Sequence, residues 1–263
     1  MSVIRSKDNA RFKAWIRLAA DAKERRTRGL ALIEGIHLIE ALLGLGRAPV
    51  NLIISESAAV KPEIRRIVQR GSVEPVMLSD ALFNRVAGTD TPVGIAAEID
   101  LPETKIDPEA SAGCLFLDGI QDAGNIGTLL RSAAAFGVSD ALIGRGCADP
   151  WSPKALRAGM GGQFFLRIAA SEDLAADIRR FGAQSICTVV QGGAPVESLD
   201  LTGRIGWIFG GEGSGISDEV AACATLKATI AMQGGAESIN VAASAAICLY
   251  ERSRQISRRV ARS

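Results

Sequence analysis

The sequence is poor in the side chains on which many hydrolases and metalloenzymes depend. It has a single histidine, His37, and its five cysteines are far apart with no Cys-x-x-Cys pair. Neither a metal site nor a disulfide scaffold is therefore predicted, and reduced thiols are the simplest interpretation. A Ser-His-Asp hydrolase would have to use His37, yet no Gly-x-Ser-x-Gly elbow accompanies it. We expect His37 to be a helix-start or surface residue.

Long apolar runs are also missing. None reaches the roughly 20 residues that span a bilayer, and the start MSVIRSKDNARFKAW has no signal-peptide apolar core. We therefore expect a cytoplasmic protein without a membrane segment. The formal net charge is only +1, but basic residues crowd the N-terminus, where a helix is predicted around 9–20. Such a patch favours a polyanionic partner, and a solvated helix face is the alternative.

Strand-like and helix-like patterns alternate along the chain, which predicts an α/β fold. The stretch LPETKIDPEASA at 101–112 is acidic, proline-bearing and aperiodic, as is typical of a linker. We predict an N-terminal domain at 1–105 and a C-terminal domain at 106–263. Apolar runs in the C-terminal half are nearly continuous, which indicates a mostly parallel sheet buried on both faces. Ligands of such sheets bind beyond the carboxyl ends of the strands.

The first of three informative segments in the C-terminal half joins a strand end to a helix. It runs from Asp118 to Arg131 as DGIQDAGNIGTLLR. We expect Asn125 to cap the helix and Arg131 to lie two turns further on, among residues predicted to be buried. An arginine in such surroundings needs a specific partner, so a functional role is favoured over a local ion pair with Asp122.

In the second segment, an apolar strand ends in four glycines that surround one carboxylate. It reads WIFGGEGSGIS at 207–217, with the carboxylate at Glu212. Glycines let a ligand approach the backbone, and a tight turn would explain only one or two of them. The spacing is not a dinucleotide fingerprint, because Ile216 replaces its last glycine. It is not a P-loop either, because no lysine follows Gly215.

A third segment, IAMQGGAESINVAAS at 230–244, repeats the order of strand, glycine loop and helix. Ser238 and Asn240 are good helix-capping residues when taken singly, and Ile230 and Met232 would ordinarily belong to a strand core. The recurrence of a polar glycine loop after a late strand indicates that the segments share one site.

Together the three segments closely resemble the three motifs of the SpoU family, the TrmH-type ribose methyltransferases of the SPOUT superfamily. The family's Asn, Gly and Arg correspond to Asn125, Gly127 and Arg131, its Gly-x-Glu-x-x-Gly to Gly210, Glu212 and Gly215, and its Ser-x-Asn to Ser238 and Asn240. One departure is Ala231, where the family usually has proline. The N-terminal half more weakly resembles the substrate-binding domain of ribosomal RNA members.

The resemblance implies an enzyme that uses S-adenosyl-L-methionine to methylate a ribose 2′-hydroxyl, in ribosomal RNA rather than transfer RNA. It also implies a trefoil knot in the C-terminal domain, a homodimer and no metal. The cofactor contacts that it implies are Gly210, Gly211, Ile230, Met232 and Ile239. The residues that it places in catalysis and in shaping the pocket are Asn125, Arg131, Glu212, Ser238 and Asn240.

The resemblance gives Arg131 the activation of the 2′-hydroxyl. Because arginine is essentially never deprotonated in proteins, we expect Arg131 first to grip an RNA phosphate and polarise the hydroxyl, with general-base catalysis as the alternative. We also expect the basic opening helix and the residues before it to bind RNA phosphates, through Lys7, Arg11, Lys13 and Arg17.

Two other interpretations of the chain were weighed. An NAD(P)-dependent dehydrogenase of doubly wound fold lacks the glycine fingerprint and the acid about 20 residues beyond it. A non-catalytic RNA-binding protein of the same fold is disfavoured by the intact Asn125, Arg131, Glu212 and Asn240.

Overall fold

The computed structural model describes residues 3–89 and 91–260. The strands are β1 (Val3–Ile4), β2 (Leu30–Glu34), β3 (Asn51–Ser55), β4 (Val76–Leu78), β5 (Ile95–Asp100), β6 (Cys114–Asp118), β7 (Asp140–Ile143), β8 (Arg167–Ala170), β9 (Gln184–Thr188), β10 (Ala194–Pro195), β11 (Ile205–Gly210) and β12 (Leu226–Thr229). The helices are α1 (Ala10–Ala20), α2 (Ala22–Arg28), α3 (Ile36–Gly44), α4 (Pro62–Arg70), α5 (Asp80–Ala87), α6 (Ala123–Ala135), α7 (Pro153–Gly159), α8 (Leu174–Phe181), α9 (Asp218–Ala221) and α10 (Val241–Val260). Short 3-10 turns lie at Ser57–Val60, Pro108–Ala110, Gly162–Phe165 and Val196–Ser198.

The chain divides into two compact units. The first comprises Met1–Glu103 and Trp151–Gly161, and the second comprises Thr104–Pro150 and Gly162–Ser263. The chain first passes from one unit to the other between Glu103 and Thr104, two residues before the predicted boundary between 105 and 106. Helix α7 lies in the sequence of the C-terminal half but belongs to the first unit, where it packs on β2. Arg157 of α7 lies 3.6 Å from the Glu34 carboxylate of β2.

A five-stranded mixed sheet, in the order β1-β4-β3-β5-β2, forms the first unit. Strand β5 runs antiparallel to both of its neighbours, and sequence patterning missed it. Helices α1 and α5 pack on the face to which Ile53 points, with Trp15 and Phe83 fully buried there. Leu52 precedes Ile53 and therefore points to the opposite face. That face carries α4, since a Cβ built on Gly71 after α4 would lie 3.8 Å from Leu52 Cδ2.

The second unit is built on a seven-stranded sheet in the order β10-β12-β9-β11-β6-β7-β8, in which every pair is parallel. Strands β6 and β11 are buried along almost their whole length. This confirms the prediction of a parallel sheet covered on both faces. Helix α8 lies against one face, where Phe181 meets Phe116 edge to face with ring centroids 5.7 Å apart. Helices α6 and α10 pack against each other.

Three strands of this unit are shorter than the apolar runs of sequence in which they lie. The runs at 185–190 and 227–232 continue beyond β9 and β12, which end at Thr188 and Thr229, and the apolar residues that follow line a cavity instead of continuing the ladder. The run from Phe164 leads into β8, which begins only at Arg167 because a 3-10 turn occupies the residues before it. The trefoil knot remains a prediction of the resemblance. In the described part of the chain, no helix is both long and apolar enough to cross a membrane.

Asp140, the first residue of β7, is the most deeply buried carboxylate of this unit, with 0% of its side chain exposed. Arg167 of β8 donates to both of its oxygens, from Nε at 2.6 Å and from Nη2 at 2.8 Å. The hydroxyls of Ser111 and Ser139 donate to Oδ2. A buried carboxylate that loses a cationic partner keeps its desolvation cost, so this pair ties the edge strand β8 to the sheet.

We predict that Arg167→Ala lowers the free energy of unfolding by about 2 kcal/mol, measured by urea denaturation. Arg180→Ala is the matched control. The two arginines are equally exposed, at 54% and 56%, but Arg180 pairs at the surface, with Asp107, which is itself 55% exposed, and more distantly with Asp177 at 3.8 Å. Loss of such a surface pair changes stability by about 0.5 kcal/mol or less. Equal effects of the two substitutions would contradict the importance given to the burial of Asp140.

Candidate active site

A cavity of about 440 Å³ opens at the carboxyl ends of β9, β11 and β12. Three loops line it: 188–190 after β9, 210–216 after β11, and the segment from Ile230 to the start of α10. The second and third predicted segments thus contribute to one site. Every predicted cofactor contact lines the cavity: Gly210, Gly211, Ile230, Met232 and Ile239.

The loop after β11 is a closed turn that depends on its glycines. The Gly215 amide donates to the Gly211 carbonyl at 2.9 Å, and Gly215 has φ +69, a left-handed conformation that side chains disfavour. A Cβ on Gly210 would overlap the Gly215 carbonyl, and a Cβ on Gly211 would overlap the Gly119 carbonyl. The close approach of backbone segments therefore requires glycine at both positions.

The loop after β12 leads into α10, and its last residue caps that helix. Asn240 Oδ1 accepts hydrogen bonds from the amides of Ala242 at 2.9 Å and Ala243 at 3.3 Å. Asn240 therefore caps α10, as its residue type allows. Ser238 lines the cavity two residues earlier and is exposed.

Asn125 joins the three predicted segments. Its Oδ1 accepts from Asn240 Nδ2 at 2.9 Å, and its Nδ2 donates to Glu212 Oε1. Asn125 is not the N-cap that the sequence predicted. Helix α6 begins at Ala123, and Asp122 caps it by accepting from the Asn125 amide at 2.9 Å. Because Asp122 serves the helix end, the Asn125 side chain is free to bridge the two other motifs.

The direction of this hydrogen-bond chain is fixed at both ends. Asn240 Oδ1 is engaged by backbone donors, so its amide nitrogen must point to Asn125. Asn125 then accepts with its oxygen and donates with its nitrogen to Glu212, whose ionised carboxylate can only accept. The site therefore presents a carboxylate and two oriented amides beside a cavity of mixed polar and apolar lining.

Arg131 lies elsewhere on α6. It is exposed, and it makes no hydrogen bond or ion pair with any described residue. The residues around it are buried as expected, at Leu129, Leu130 and Ala133. Helix α6 nevertheless turns the Arg131 side chain to the open side, so the specific partner inferred from buried surroundings is absent among the described residues. Six residues of helix, about 9 Å, separate it from Asn125. Arg131 is not among the residues that line the cavity.

Sequence patterning missed one pair that supports the glycine loop. Asp118, the last residue of β6, accepts from both the amide and the hydroxyl of Ser217, each at 2.8 Å. Ser217 is the residue before α9, so this carboxylate anchors the far end of the loop that begins at Gly210. The signal was a carboxylate at the end of an apolar strand, together with a serine directly before an Asp-Glu helix start.

Cys147 is the thiol nearest to the first motif. It accepts from the Ile120 amide and donates to the Leu117 carbonyl, both at 3.3 Å. Burial raises the pKa of this thiol. Since the thiolate is the nucleophilic form, Cys147 is a structural donor here rather than a nucleophile. His37 is exposed as the second residue of α3, as expected.

The comparisons with known proteins agree with this geometry. Residues 113–250 match the sequence profile of the SpoU rRNA Methylase family, and residues 9–97 match the MRM3-like substrate binding domain.

The chain belongs to the SpoU rRNA methylase family.

Relatives resemble the chain along nearly its whole length. The 23S rRNA (guanosine(2553)-2′-O)-methyltransferase RlmP of Bacillus subtilis is 30% identical over 252 residues, which are 95% of this chain and 98% of that protein. A 23S rRNA (uridine(2479)-2′-O)-methyltransferase of Streptomyces viridochromogenes is 28% identical over 260 residues, 94% and 90% of the two chains. The crystal structure of an AdoMet-bound rRNA methyltransferase from Sinorhizobium meliloti superposes with a TM-score of 0.83 at 25% identity, covering 97% and 98% of the two chains.

Family membership confirms the predicted fold class and enzyme class. The dehydrogenase alternative is wrong, and all three motif segments lie within the residues that match the SpoU profile, 113–250. The structure also locates the four cations predicted to bind RNA, which belong to the first unit. Lys13 pairs with Asp8 at 2.7 Å, Arg17 pairs with Glu24 at 3.2 Å, and Arg11 donates to Asn51 at 2.6 Å. Lys7 is exposed, without a hydrogen bond or ion pair to the described residues.

We predict that Gly210→Val abolishes S-adenosylmethionine binding in isothermal titration calorimetry, because the new side chain would displace the loop that closes on Gly215. Gly234→Ala is the matched control. It lies in the loop after β12, and a Cβ there meets nothing within 4 Å, so binding should match the wild type. Wild-type affinity in a folded Gly210→Val protein would show that the cofactor binds elsewhere.

Proposed function

We propose that this chain transfers a methyl group from S-adenosylmethionine to a ribose 2′-hydroxyl of 23S ribosomal RNA in the cytoplasm. The observation that carries the proposal is the hydrogen-bond chain from Asn240 through Asn125 to Glu212, which joins all three SpoU motifs beside one cavity. The choice of 23S rRNA is supported by relatives from two bacteria that are 23S rRNA 2′-O-methyltransferases and that align along nearly the whole chain.

The cavity fits this cofactor. Its volume of about 440 Å³ is that of a small-molecule site. Ile230, Met232 and Ile239 give it apolar surface, and the glycine loop brings backbone groups to its edge. When bound, S-adenosylmethionine supplies a methyl group on a positively charged sulfur. We assign Gly210 and Gly211 to backbone contact with the cofactor, because both line the cavity and neither has a side chain to hold a ligand away from the backbone.

The residues of the chain contribute alignment rather than covalent chemistry. Asn125 and Asn240 hold the Glu212 carboxylate at the rim of the cavity, where it can accept a hydrogen bond from a ribose hydroxyl. Ser238 adds a second polar group at the same rim. Methyl transfer forms the O–C bond as the S–C bond breaks, so the sulfur becomes neutral and the positive charge leaves with the 2′-hydroxyl proton. No charge has to be created, so exclusion of water and correct geometry supply much of the rate.

Arg131 requires a different placement, since it is exposed and distant along α6 from Asn125. We assign it to an RNA phosphate and to polarising the 2′-hydroxyl, a role for which a planar guanidinium without an acidic partner is well suited. In a homodimer, an exposed arginine on α6 can also serve the pocket of the other subunit.

The second unit exposes an apolar stripe that supports such a dimer. Ala243, Ile247 and Tyr250 recur on one face of α10, with Ile247 40% and Tyr250 58% exposed. Tyr250 meets Phe136, at the end of α6, edge to face with ring centroids 6.1 Å apart. Contiguous apolar surface on paired helices is typical of subunit interfaces. We therefore propose that two copies associate through α6 and α10.

We predict that 23S rRNA from cells lacking the gene loses one ribose methylation, as mapped across all ribosomal and transfer RNAs. The wild-type gene should restore it and an Arg131→Ala gene should not. Loss of a methyl group from transfer RNA alone would favour the transfer RNA alternative. If no mapped ribose methylation changes when the gene is lost, a non-catalytic binding protein is favoured.

Substitutions of Arg131 also test its role in the chemical step, which single-turnover methylation with saturating RNA and cofactor isolates from binding. Arg131→Lys should slow the step about 10-fold, because charge is kept and the planar fork is lost. Arg131→Ala should slow it about 100- to 1000-fold, with cofactor affinity unchanged. Ser132→Ala is the neighbouring control, since its hydroxyl only donates to the Thr128 carbonyl. Wild-type turnover in Arg131→Ala would refute the catalytic assignment.

We predict that the protein is a dimer in solution. Size-exclusion chromatography with light scattering should then give twice the 27.6 kDa mass of one chain. Ile247→Asp should shift the mass to that of one chain, because a charge cannot be buried there without a partner. Val60→Asp is the control, an equally apolar residue that is 66% exposed in the first unit, and it should leave the mass unchanged. A wild-type protein that elutes as a monomer would rule out the interface.

A further inference from the structure

Two basic helices of the first unit, α1 and α4, lie on opposite faces of its sheet. Helix α1 packs on the face of Ile53, and α4 lies on the side of Leu52, the opposite face. A single stretch of RNA lying across one face therefore contacts one of these helices and not the other. The sequence pointed to α1, and the structure provides a way to choose between them.

The cations of α1 are largely occupied. Lys13 and Arg17 each have an acidic partner. The Arg11 guanidinium donates to Asn51 and lies 5.5 Å from the Trp15 ring centroid. A phosphate that binds here must compete with groups already in place, which lowers the net gain of each contact.

Helix α4 presents the opposite arrangement. Its apolar side is buried at Ile64 and Ile67, while Arg65, Arg66 and Arg70 are all exposed. Positions 65, 66, 69 and 70 form one stripe of a helix, since residues four apart are neighbours on its surface. Gln69 fills the remaining position, so the stripe contains no acid.

No arginine of this stripe forms an ion pair within the described residues. Glu63, the only acid of α4, lies one turn before Arg66 but is not paired with it. Arg65 Nε donates to the Ala59 carbonyl at 3.3 Å. This bond orients the guanidinium and leaves its terminal nitrogens without a partner among the described residues. Three arginines thus remain available along about 7.5 Å of helix, and about two phosphates of one strand lie within that length of a duplex axis.

We propose that the exposed face of α4, formed by Arg65, Arg66 and Arg70, is the surface of the first unit that binds the phosphate backbone of the substrate RNA. This inference rests on the proposed function, which supplies RNA as the partner. Arginine suits the task because its planar fork donates two parallel hydrogen bonds to a phosphate. The contacts position the RNA and carry no sequence preference.

The test is the salt dependence of RNA affinity, measured by filter binding of the full-length protein to 23S rRNA fragments. Each lost phosphate contact reduces the slope of log K against log salt by about 0.7 to 0.9. A triple variant with Arg65→Gln, Arg66→Gln and Arg70→Gln should reduce the slope by about 2 and weaken binding at least 10-fold. The matched control carries Arg11→Gln, Lys13→Gln and Arg17→Gln, which removes the same net charge, and its slope should change by less than half as much.

The outcomes separate this inference from the function on which it rests. A wild-type slope in the α4 variant, or equal losses in the two variants, overturns the proposal, and a loss confined to the α1 variant establishes the surface that the sequence favoured. Single-turnover rates at saturating RNA should stay at the wild-type level in the α4 variant. If the wild type itself does not methylate the RNA, the proposed function fails, and the slopes still report where RNA binds.

A conservative variant guards against effects of folding. Replacing the three arginines with lysine keeps three charges, so the slope should remain near that of the wild type while affinity falls modestly. If the glutamine variant melts at a lower temperature than the wild type, the single substitution Arg66→Gln replaces it, with an expected slope change of about 1. An unchanged slope in a folded Arg66→Gln protein would count against the proposal.

Discussion

The hydrogen-bond chain from Asn240 through Asn125 to Glu212 is the interaction on which the candidate site depends. It joins Asn125, in the first turn of α6, to Asn240 and Glu212, which lie 115 and 87 positions away in sequence on exposed loops. Backbone donors at the start of α10 fix one end, and a carboxylate fixes the other. The polarity of both amides follows, so replacing any member changes what the other two can donate or accept.

Close packing of backbone segments holds the loops of this hydrogen-bond chain in place. Gly210 and Gly211 let the loop after β11 fold onto itself and onto the Gly119 carbonyl. Gly162 serves a similar purpose at α6, where a Cβ would lie 2.7 Å from the Arg131 Cα. The 3-10 turn therefore lies directly against the helix beside Arg131. Small residues determine both where the cavity opens and which side of α6 remains exposed.

Charge is distributed in a way that a net value of +1 does not reveal. Among the basic helices of the first unit, α1 and α4 lie on opposite faces of one sheet, α1 with mostly paired cations and α4 with arginines that form no ion pair within the described residues. In the second unit, Arg167 forms a bidentate ion pair with the buried Asp140, whereas Arg131 is exposed. Similar side chains thus act as structural ties in some places and stay available for a polyanion in others, depending on the acids nearby.

The sequence by itself determined the fold class, the family and the positions of the three motifs. Strand β11 and the start of α10 matched their predictions, because an apolar run that ends in glycine, or a polar cap before a helix, is a local signal. Only the tertiary structure decided that Asp122 rather than Asn125 caps α6, that Arg131 is exposed, and that β9 and β12 stop early to line a cavity. It also decided which cations are paired. Each of these outcomes depends on which distant strands become neighbours, and a local pattern of side chains does not contain that information.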